Sequence, residues 1–139
     1  MLKRLFGIGR AKAPDRVKRI QEGLAHLDAG RPAEARASFE QAMTGSDVDA
    51  DAWLLIGLSH QREHEHEAAL AAFQRAIALR PGDQDTLAAL AASNRVVGNV
   101  EASISAYRAL LERDPCAAQA WNDLGLTLLE SGAVSMALE

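Results

Sequence analysis

Three histidines stand close together in the middle of the chain, and histidine is the side chain that most often binds metal ions. His60, His64 and His66 alternate with glutamates in the run HQREHEHE. His60 and His64 have the i, i+4 spacing with which two imidazoles can hold Zn²⁺ on one face of a helix. From His60 the run reads HQREH and contains no HExxH motif, which counts against a metal site.

The alternative is that these histidines belong to a solvated turn between two helices. Gly98 and Gly132 follow His64 at equal spacing along the chain, so the three residues hold corresponding positions. Glycine at such positions is typical of the left-handed backbone at a helix end. A turn at His64 would break the helical spacing between His60 and His64. We therefore predict a solvated turn here and no metal site.

Residues suited to catalysis are scarce. The sequence has no glycine-rich phosphate loop and no GxSxG nucleophile motif. The single cysteine, Cys116, follows Pro115, where we expect an incidental surface thiol and not a nucleophile. We predict no catalytic residues and no cofactor, and we do not expect an enzyme.

Charge and composition restrict the class of protein further. The net charge is −4, but residues 1–15 carry +3, which leaves −7 on the remainder of the chain. An acidic body repels phosphates, so no nucleic acid partner is expected. One cysteine excludes an intramolecular disulfide and suits a reducing compartment, so we expect a cytoplasmic protein. No apolar run reaches the length of a membrane span.

A pattern of small and large residues runs from Trp53 to Pro81. Bulky and small side chains alternate in this segment, and a proline ends it. The residues of the pattern are Trp53, Ile56, Gly57, His60, Ala69, Phe73, Ala76 and Pro81. The pattern resembles a tetratricopeptide repeat, in which W-x2-L-G-x2-Y, A-x3-F and P occupy a unit of about 34 residues. Ile56 and His60 replace the usual leucine and tyrosine, and both keep a bulky side chain.

The same pattern recurs with this period on both sides of the segment. Phe73 corresponds to Phe39 and Tyr107, and Trp53 corresponds to Trp121 after two periods. The sequence therefore divides into repeats at 16–49, 50–83, 84–117 and a partial fourth at 118–139.

The resemblance implies an all-α fold, a right-handed α-solenoid of antiparallel helix hairpins. Two helices approach closely only where both carry small residues, with large residues on either side. The expected crossing positions are Gly23, Gly57, Ala91 and Gly125 on the first helices, and Ala35, Ala69, Ser103 and Ala137 on the second.

Capping and turn residues predict the helix boundaries. Serine, aspartate and asparagine favour helix starts, proline favours the first turn, and glycine favours helix ends. The expected helices are 15–29, 32–44, 50–63, 67–79, 84–97, 100–113 and 115–130, with a break at Ser131-Gly132 before a short eighth helix.

The resemblance also implies that the first helices of the hairpins line a concave groove. The projected partner-binding residues are mostly aliphatic: Ile20, Leu24, Leu27, Leu54, Leu58, Arg62, Ala88, Ala92, Arg95, Asn122 and Leu126. Members of the family that bind the terminal carboxylate of chaperone tails use lysine and asparagine where this chain has Ile20 and Leu24. An apolar groove instead suits an amphipathic helix or an extended apolar peptide.

These observations predict a non-catalytic scaffold that binds a protein or peptide partner. The alternative is the N-terminal regulatory module of a longer transferase-type enzyme, because such repeats commonly precede transferase domains in bacterial proteins. The partial fourth repeat leaves Trp121, Leu124 and Leu128 without a complete partner helix. Either the native protein continues past Glu139, or this end packs on a second copy.

The N-terminal segment, residues 1–15, interleaves apolar and basic side chains in the sequence MLKRLFGIGRAKAPD. It is too short and too interrupted for a secretory signal. Two interpretations remain open: a mobile tail, or a short amphipathic anchor that contacts an acidic membrane or a protein groove.

Overall fold

A computed structural model of the protein describes residues 13–43 and 49–138, and its regular structure in these ranges is entirely α-helical. Seven helices follow one another along the described chain: α1 (Ala13–Asp28), α2 (Pro32–Ala42), α3 (Ala50–Arg62), α4 (His66–Leu79), α5 (Gln84–Val97), α6 (Val100–Arg113) and α7 (Ala118–Leu138). None of these helices is long and apolar enough to span a membrane.

Most predicted boundaries agree with the structure, and those of α5 and α6 agree at both ends. Helix α1 differs because it begins at Ala13, so Asp15 lies in the first turn and does not cap it; Pro14 is tolerated there because first-turn N–H groups have no helical acceptor. Residues 1–12 of the tail predicted over 1–15 lie outside the described residues, whereas 13–15 belong to α1. The linker expected over 46–49 is described only at Asp49, just before α3.

The last helix contradicts the predicted break at Ser131-Gly132. Helix α7 runs without interruption from Ala118 to Leu138, whereas a hairpin turn was expected after Glu130. A reversal is stabilised only if the returning helix packs on the first, and a helix of a few residues is marginal without such packing. Continuing α7 keeps every backbone hydrogen bond that a turn at Gly132 would interrupt.

The described helices form two compact units, α1 to α4 and α5 to α7. In the first unit α1 packs on α2, α2 on α3 and α3 on α4. In the second unit α5 packs on α6 and α6 on α7. Each helix therefore contacts its neighbours in sequence within its unit, as stacked hairpins require.

The aromatic and small residues that recur with the repeat period occupy equivalent buried places. Phe39 and Phe73 are fully buried, and Tyr107 is 2% exposed. The small residues expected at the crossings, Ala35 and Ala69, are also fully buried. The predicted period is therefore confirmed by the core of each hairpin.

Two glycines form notches that receive the phenylalanine rings of the facing helices. A Cβ atom placed on Gly23 would lie 2.3 Å from Cε1 of Phe39, and one on Gly57 would lie 2.3 Å from Cε1 of Phe73. No side chain larger than hydrogen fits there unless the ring moves. The close approach predicted from the small residues is confirmed in these two hairpins.

In the third hairpin, a hydrogen bond joins the two helices where they cross. The first two hairpins have a phenylalanine ring against a glycine at this place. The buried hydroxyl of Ser103 donates to the carbonyl oxygen of Ala91 at 2.8 Å. This contact joins the two residues that the sequence placed at the crossing of α5 and α6. The side chain of Ala137, predicted to face Gly125, lies outside the described residues.

Each of the three described hairpin turns contains one residue in the left-handed region, at equivalent positions of the repeat. Gly30 has φ +76°, His64 has φ +61° and Gly98 has φ +90°. The amide of the residue after the left-handed one closes the helix end with a backbone hydrogen bond. At the second turn, the N–H of Glu65 donates to the carbonyl of His60 at 2.9 Å. His64 thus occupies a position where the other two hairpins use glycine, as predicted from the spacing.

Replacing His64 with glycine is expected to stabilise the protein by about 1 kcal/mol, because a side chain with Cβ is strained in this backbone conformation. The free energy of unfolding in urea would measure the gain. The reverse change, Gly98→Ala, is the matched control and is expected to cost a similar amount. A loss of stability in His64→Gly would show that contacts of the imidazole outweigh the strain.

Helix α3 begins at a charged cap. The carboxylate of Asp49 accepts a hydrogen bond from the amide of Ala52 at 3.1 Å. It also accepts two from the guanidinium of Arg16 on α1, at 2.6 and 2.9 Å. The hydrogen bond from Arg16 and, less strongly, that from Ala52 hold the pKa of Asp49 below its usual value. The cap therefore joins the first hairpin to the second.

The contribution of this charge is expected to depend on pH. Because the folded pKa of Asp49 is lowered, its stabilising effect is complete above the pKa of the unfolded chain and is lost as pH falls towards the folded value. Asp49→Asn keeps a capping side chain but loses the ion pair, so we expect a cost of about 1 kcal/mol at pH 7. Urea unfolding at pH 7 and pH 3 should show the difference shrinking in acid; an equal difference at both pH values would contradict the assignment.

Candidate binding cleft

A cleft of about 510 Å³ opens in the first unit. Helices α1 and α3 supply its walls, and the turn between α3 and α4 supplies one end. The lining residues are Leu24, Leu27, Asp28, Leu55, Leu58, Gln61, Arg62, His64 and His66. Clefts of a few hundred cubic ångströms accommodate small ligands or a few partner side chains.

Leucines form the apolar part of the cleft. Leu27 is only 6% exposed and belongs to the hydrophobic core with Phe39 and Ile56, so its position is fixed. Leu24 is 40% exposed, and Leu58 is half-buried. The cleft therefore has a rigid base and two leucines with apolar surface still open to solvent.

The polar residues of the cleft include both signs of charge. Asp28 ends α1 and Arg62 ends α3. The rings of His64 and His66 lie with centroids 6.0 Å apart. This arrangement gives the apolar cleft a rim with polar groups at the C-terminal ends of its two helices.

The structure brings together four of the eleven residues predicted for partner binding: Leu24, Leu27, Leu58 and Arg62. Ile20 packs against the core cluster, and Leu54 is half-buried and does not line the cleft. The predicted groove residues of the first unit thus divide between cleft, core and adjoining surface.

The remaining predicted groove residues lie in the second unit. Ala88 and Ala92 are exposed on α5, and Asn122 is exposed on α7. Leu126 is 42% exposed, so apolar surface is available on α7 as well.

Arg95, one of the residues predicted to bind a partner, pairs in the structure with Glu130 of α7. The guanidinium donates two hydrogen bonds to the carboxylate, at 3.1 and 2.5 Å. This contact lowers the pKa of Glu130 and raises that of Arg95. A partner carboxylate would have to displace Glu130 before Arg95 could bind it.

Of the five other lining residues, Asp28 and Gln61 lie on the helix faces projected for the groove, whereas Leu55 and the two histidines were not indicated by the sequence. Leu55, Leu58 and Arg62 share one face of α3 because they follow at i, i+3 and i+7. Leu54, Leu58 and Arg62 also share a face, at i, i+4 and i+8, so the spacing does not distinguish Leu55 from Leu54, and only the structure places Leu55 in the cleft lining. The histidines reach the cleft through the left-handed turn at His64, which no periodicity in the helices reveals.

Another histidine, His60, lies beside two acidic residues at the same turn. Its Nδ1 atom is 3.6 Å from Oε2 of Glu65, and single ligand atoms of His60, Glu63 and Glu65 lie within 4.8 Å of one another. Arg36 of α2 donates to Glu63, and this hydrogen bond lowers the pKa of that carboxyl. Because Arg36 already neutralises one carboxylate, we keep the prediction of no metal site; micromolar zinc binding by calorimetry would contradict it.

Helix α7 exposes several large apolar side chains. Trp121 is 54% exposed and Leu128 is 43% exposed, as expected for a helix without a complete partner. Leu124 departs from that expectation, since it is only 6% exposed. Its position corresponds to the buried Ile56 of the second repeat, so it faces the interior of its unit.

The fold and the cleft define the class of protein: an all-α protein built from helix-hairpin repeats with a regular spacing. A family model described as the tetratricopeptide repeat matches residues 20–84 and 88–139. The chain belongs to the tetratricopeptide repeat family, and its fold is the all-α solenoid of that family.

Similar proteins include a human PEX5-related protein, which is 28% identical over 96 residues. The alignment covers 69% of this chain but only 15% of that relative, so the chain spans a small part of its length. A crystal structure of MamA has a TM-score of 0.79 at 26% identity and covers 86% of this chain and 71% of its own. The first such domain of Spaghetti (RPAP3), bound to the HSP90 peptide SRMEEVD, has a TM-score of 0.81 at 17% identity and covers 91% and 98%.

Proposed function

We propose that this protein is a non-catalytic interaction module whose cleft between α1 and α3 binds apolar side chains of a partner peptide or helix. The observation that carries the proposal is the cleft itself, with a fixed base at Leu27 and exposed apolar surface on Leu24. Burial of partner surface against these leucines would supply the binding free energy, at roughly 25 cal/mol per Å² before the costs of association.

The comparisons support the general role. The RPAP3 domain with this fold was solved with a bound peptide, and SycD, at 11% identity and a TM-score of 0.78, was solved with a peptide of the translocator YopD. This chain carries Ile20 and Leu24 where the resemblance places the carboxylate-binding residues of chaperone adaptors. Its partner should therefore be apolar, with polar groups placed to meet Asp28 and Arg62.

A peptide panel would test this proposal. We expect amphipathic helical peptides to bind with micromolar Kd and SRMEEVD to bind far more weakly. Leu58→Glu places a charge in the cleft and should weaken binding at least tenfold. Leu54→Glu is the matched control on the same helix, since Leu54 does not line the cleft. Unchanged binding in Leu58→Glu, with helicity intact, would remove the cleft from the proposal.

Three further expectations stay predictions. The first is membrane contact by residues 1–15, which liposome co-sedimentation with and without that segment would test. The second is the alternative role as a regulatory module of a transferase-type enzyme. Cytoplasmic localisation likewise remains a prediction from the single cysteine.

A further inference from the structure

Helix α1 carries an apolar stripe that leads from its second turn into the cleft. The stripe consists of Val17, Ile20, Leu24 and Leu27. Their spacing of i, i+3, i+7 and i+10 places all four on one face of the helix. Leu27 is buried at the base of the cleft, but Val17 is 49% exposed and Leu24 is 40% exposed. Apolar surface on α1 is therefore open to an occupant in the part of the chain that the structure describes.

The segment that precedes α1 has the composition of such an occupant. Residues 1–12 read MLKRLFGIGRAK, in which four basic residues lie among the large apolar side chains of Leu2, Leu5, Phe6 and Ile8. Residues 13–79, which include the helices of the first unit, hold seven basic and eleven acidic residues. Their net charge of −4 is opposite and equal to the +4 of residues 1–12. The segment thus matches the first unit in apolar character and in charge.

We propose that residues 1–12 fold back along the stripe and cover the cleft of the same chain, as an occupant that a partner peptide must displace. The inference rests on the proposed function of the cleft as a binding site, and it assigns that site a regulator within the chain. The segment covers the stripe from Val17 to Leu24 and competes with partner side chains for the exposed surface of Leu24.

The segment is long enough for this contact. Leu24 lies eleven residues after Ala13 on one helix, which corresponds to about 17 Å. Twelve residues of extended chain span up to about 40 Å. The chain has to reverse just before α1, and Gly9 lies there, where glycine adopts turn conformations without steric cost.

Asp28 gives the basic residues of the segment a partner at the far end of the stripe. It is exposed at the rim of the cleft, and it forms no ion pair with any other described residue. Lys3 and Arg4 lie between Leu2 and Leu5 in the sequence, so a segment whose leucines contact the stripe brings a cation towards Asp28. Arg62 stands on the opposite wall and repels the segment, which therefore lies on the α1 side.

Covalent attachment to α1 makes even a weak contact effective. A short flexible linker holds its two ends at an effective concentration of about 1 mM, so a contact with a separate Kd of about 0.5 mM forms in about two-thirds of the molecules. A partner would then bind the covered cleft about threefold more weakly than the open one.

Paramagnetic broadening in the full chain tests the contact without any partner peptide. A nitroxide is attached to Leu2→Cys in a Cys116→Ser background, because the native thiol is exposed and would also be labelled. We expect the amide signals of Val17 and Leu24 to lose intensity. The signal of Leu79 should keep it, because Leu79 ends α4 and the cleft is at the other end of that helix.

Variants with matched controls locate the contact. Phe6→Asp should restore most of the lost intensity and should tighten binding of an amphipathic peptide from the panel about threefold. Ala11→Asp adds the same charge to the same segment without removing a large apolar side chain, so it should change neither measurement. Val17→Glu lies on the stripe but outside the cleft lining, and it should act like Phe6→Asp. Circular dichroism checks that the variants keep their helices.

A parent chain without broadening at Leu24 would overturn the proposal, and so would broadening that persists in Phe6→Asp. A mixture of nitroxide-labelled chains with ¹⁵N chains that carry no nitroxide tests for contact between molecules. Broadening at Leu24 in that mixture would make the segment of a second copy the occupant. Peptide binding without broadening overturns this inference alone, whereas broadening that Phe6→Asp removes supports it even where no peptide binds and the proposed function fails.

Discussion

Phe73→Ala is expected to lower the free energy of unfolding by about 4 kcal/mol. The ring is fully buried in the notch of Gly57, and its removal leaves a cavity between α3 and α4 that the packed neighbours can fill only in part. Urea unfolding followed by circular dichroism would measure the loss. For a domain of this size the loss is a large fraction of the total stability.

The matched control for this change is Leu79→Ala on the same helix. Leu79 is 39% exposed, so truncation should cost less than about 1 kcal/mol. Similar losses in the two variants would show that the ring of Phe73 does not hold the hairpin together.

Gly57→Ala is expected to destabilise the protein by about 2 to 3 kcal/mol, although alanine is the better helix former. The new Cβ would lie 2.3 Å from Cε1 of Phe73, a separation that real side chains do not adopt, and the buried ring has no solvent-filled space to enter. Helix propensity alone would predict a gain of about 1 kcal/mol. A loss of stability in Gly57→Ala would therefore show that the contact between Gly57 and the ring of Phe73 outweighs helix propensity.

Gly125→Ala is the control because it makes the same substitution at the equivalent position of α7. No described atom lies within 4 Å of the added Cβ, so only helix propensity acts and a gain of about 0.5 to 1 kcal/mol is expected. Adding Gly57→Ala to Phe73→Ala should also cost much less than Gly57→Ala alone, because the ring that causes the clash is gone. Equal effects at Gly57 and Gly125 would contradict the notch.

The repeat spacing alone was enough to predict the family, the hairpins and most helix bounds. The bounds of α5 were predictable because residues at its own two ends determine them. The side chain of Asp83 accepts a hydrogen bond from the amide of Thr86 as a helix cap, and Gly98 is the left-handed residue at the other end. The burial of Phe39, Phe73 and Tyr107 was also predictable from the spacing. Residues at the same position of a repeated hairpin occupy the same place in its core.

The candidate site was less predictable, since exposure depends on what packs around a residue. The spacing placed Leu24 and Leu27 together, but only the structure separates a 40% exposed leucine from one that is 6% exposed. It likewise pairs Arg95 with Glu130 on another helix. The periodicity of one helix predicts which residues share a face, but it does not predict which side chains of another helix they contact.

The order of small and large residues in the sequence determined which helices pair and where they cross, because these choices depend on side-chain volume along each helix. Tertiary structure decided which apolar residues remain open for binding, because each helix hides only the surface that its actual neighbours cover. Trp53 and Trp121 hold equivalent positions in the repeat, and they differ in exposure because α4 covers one and no described helix covers the other.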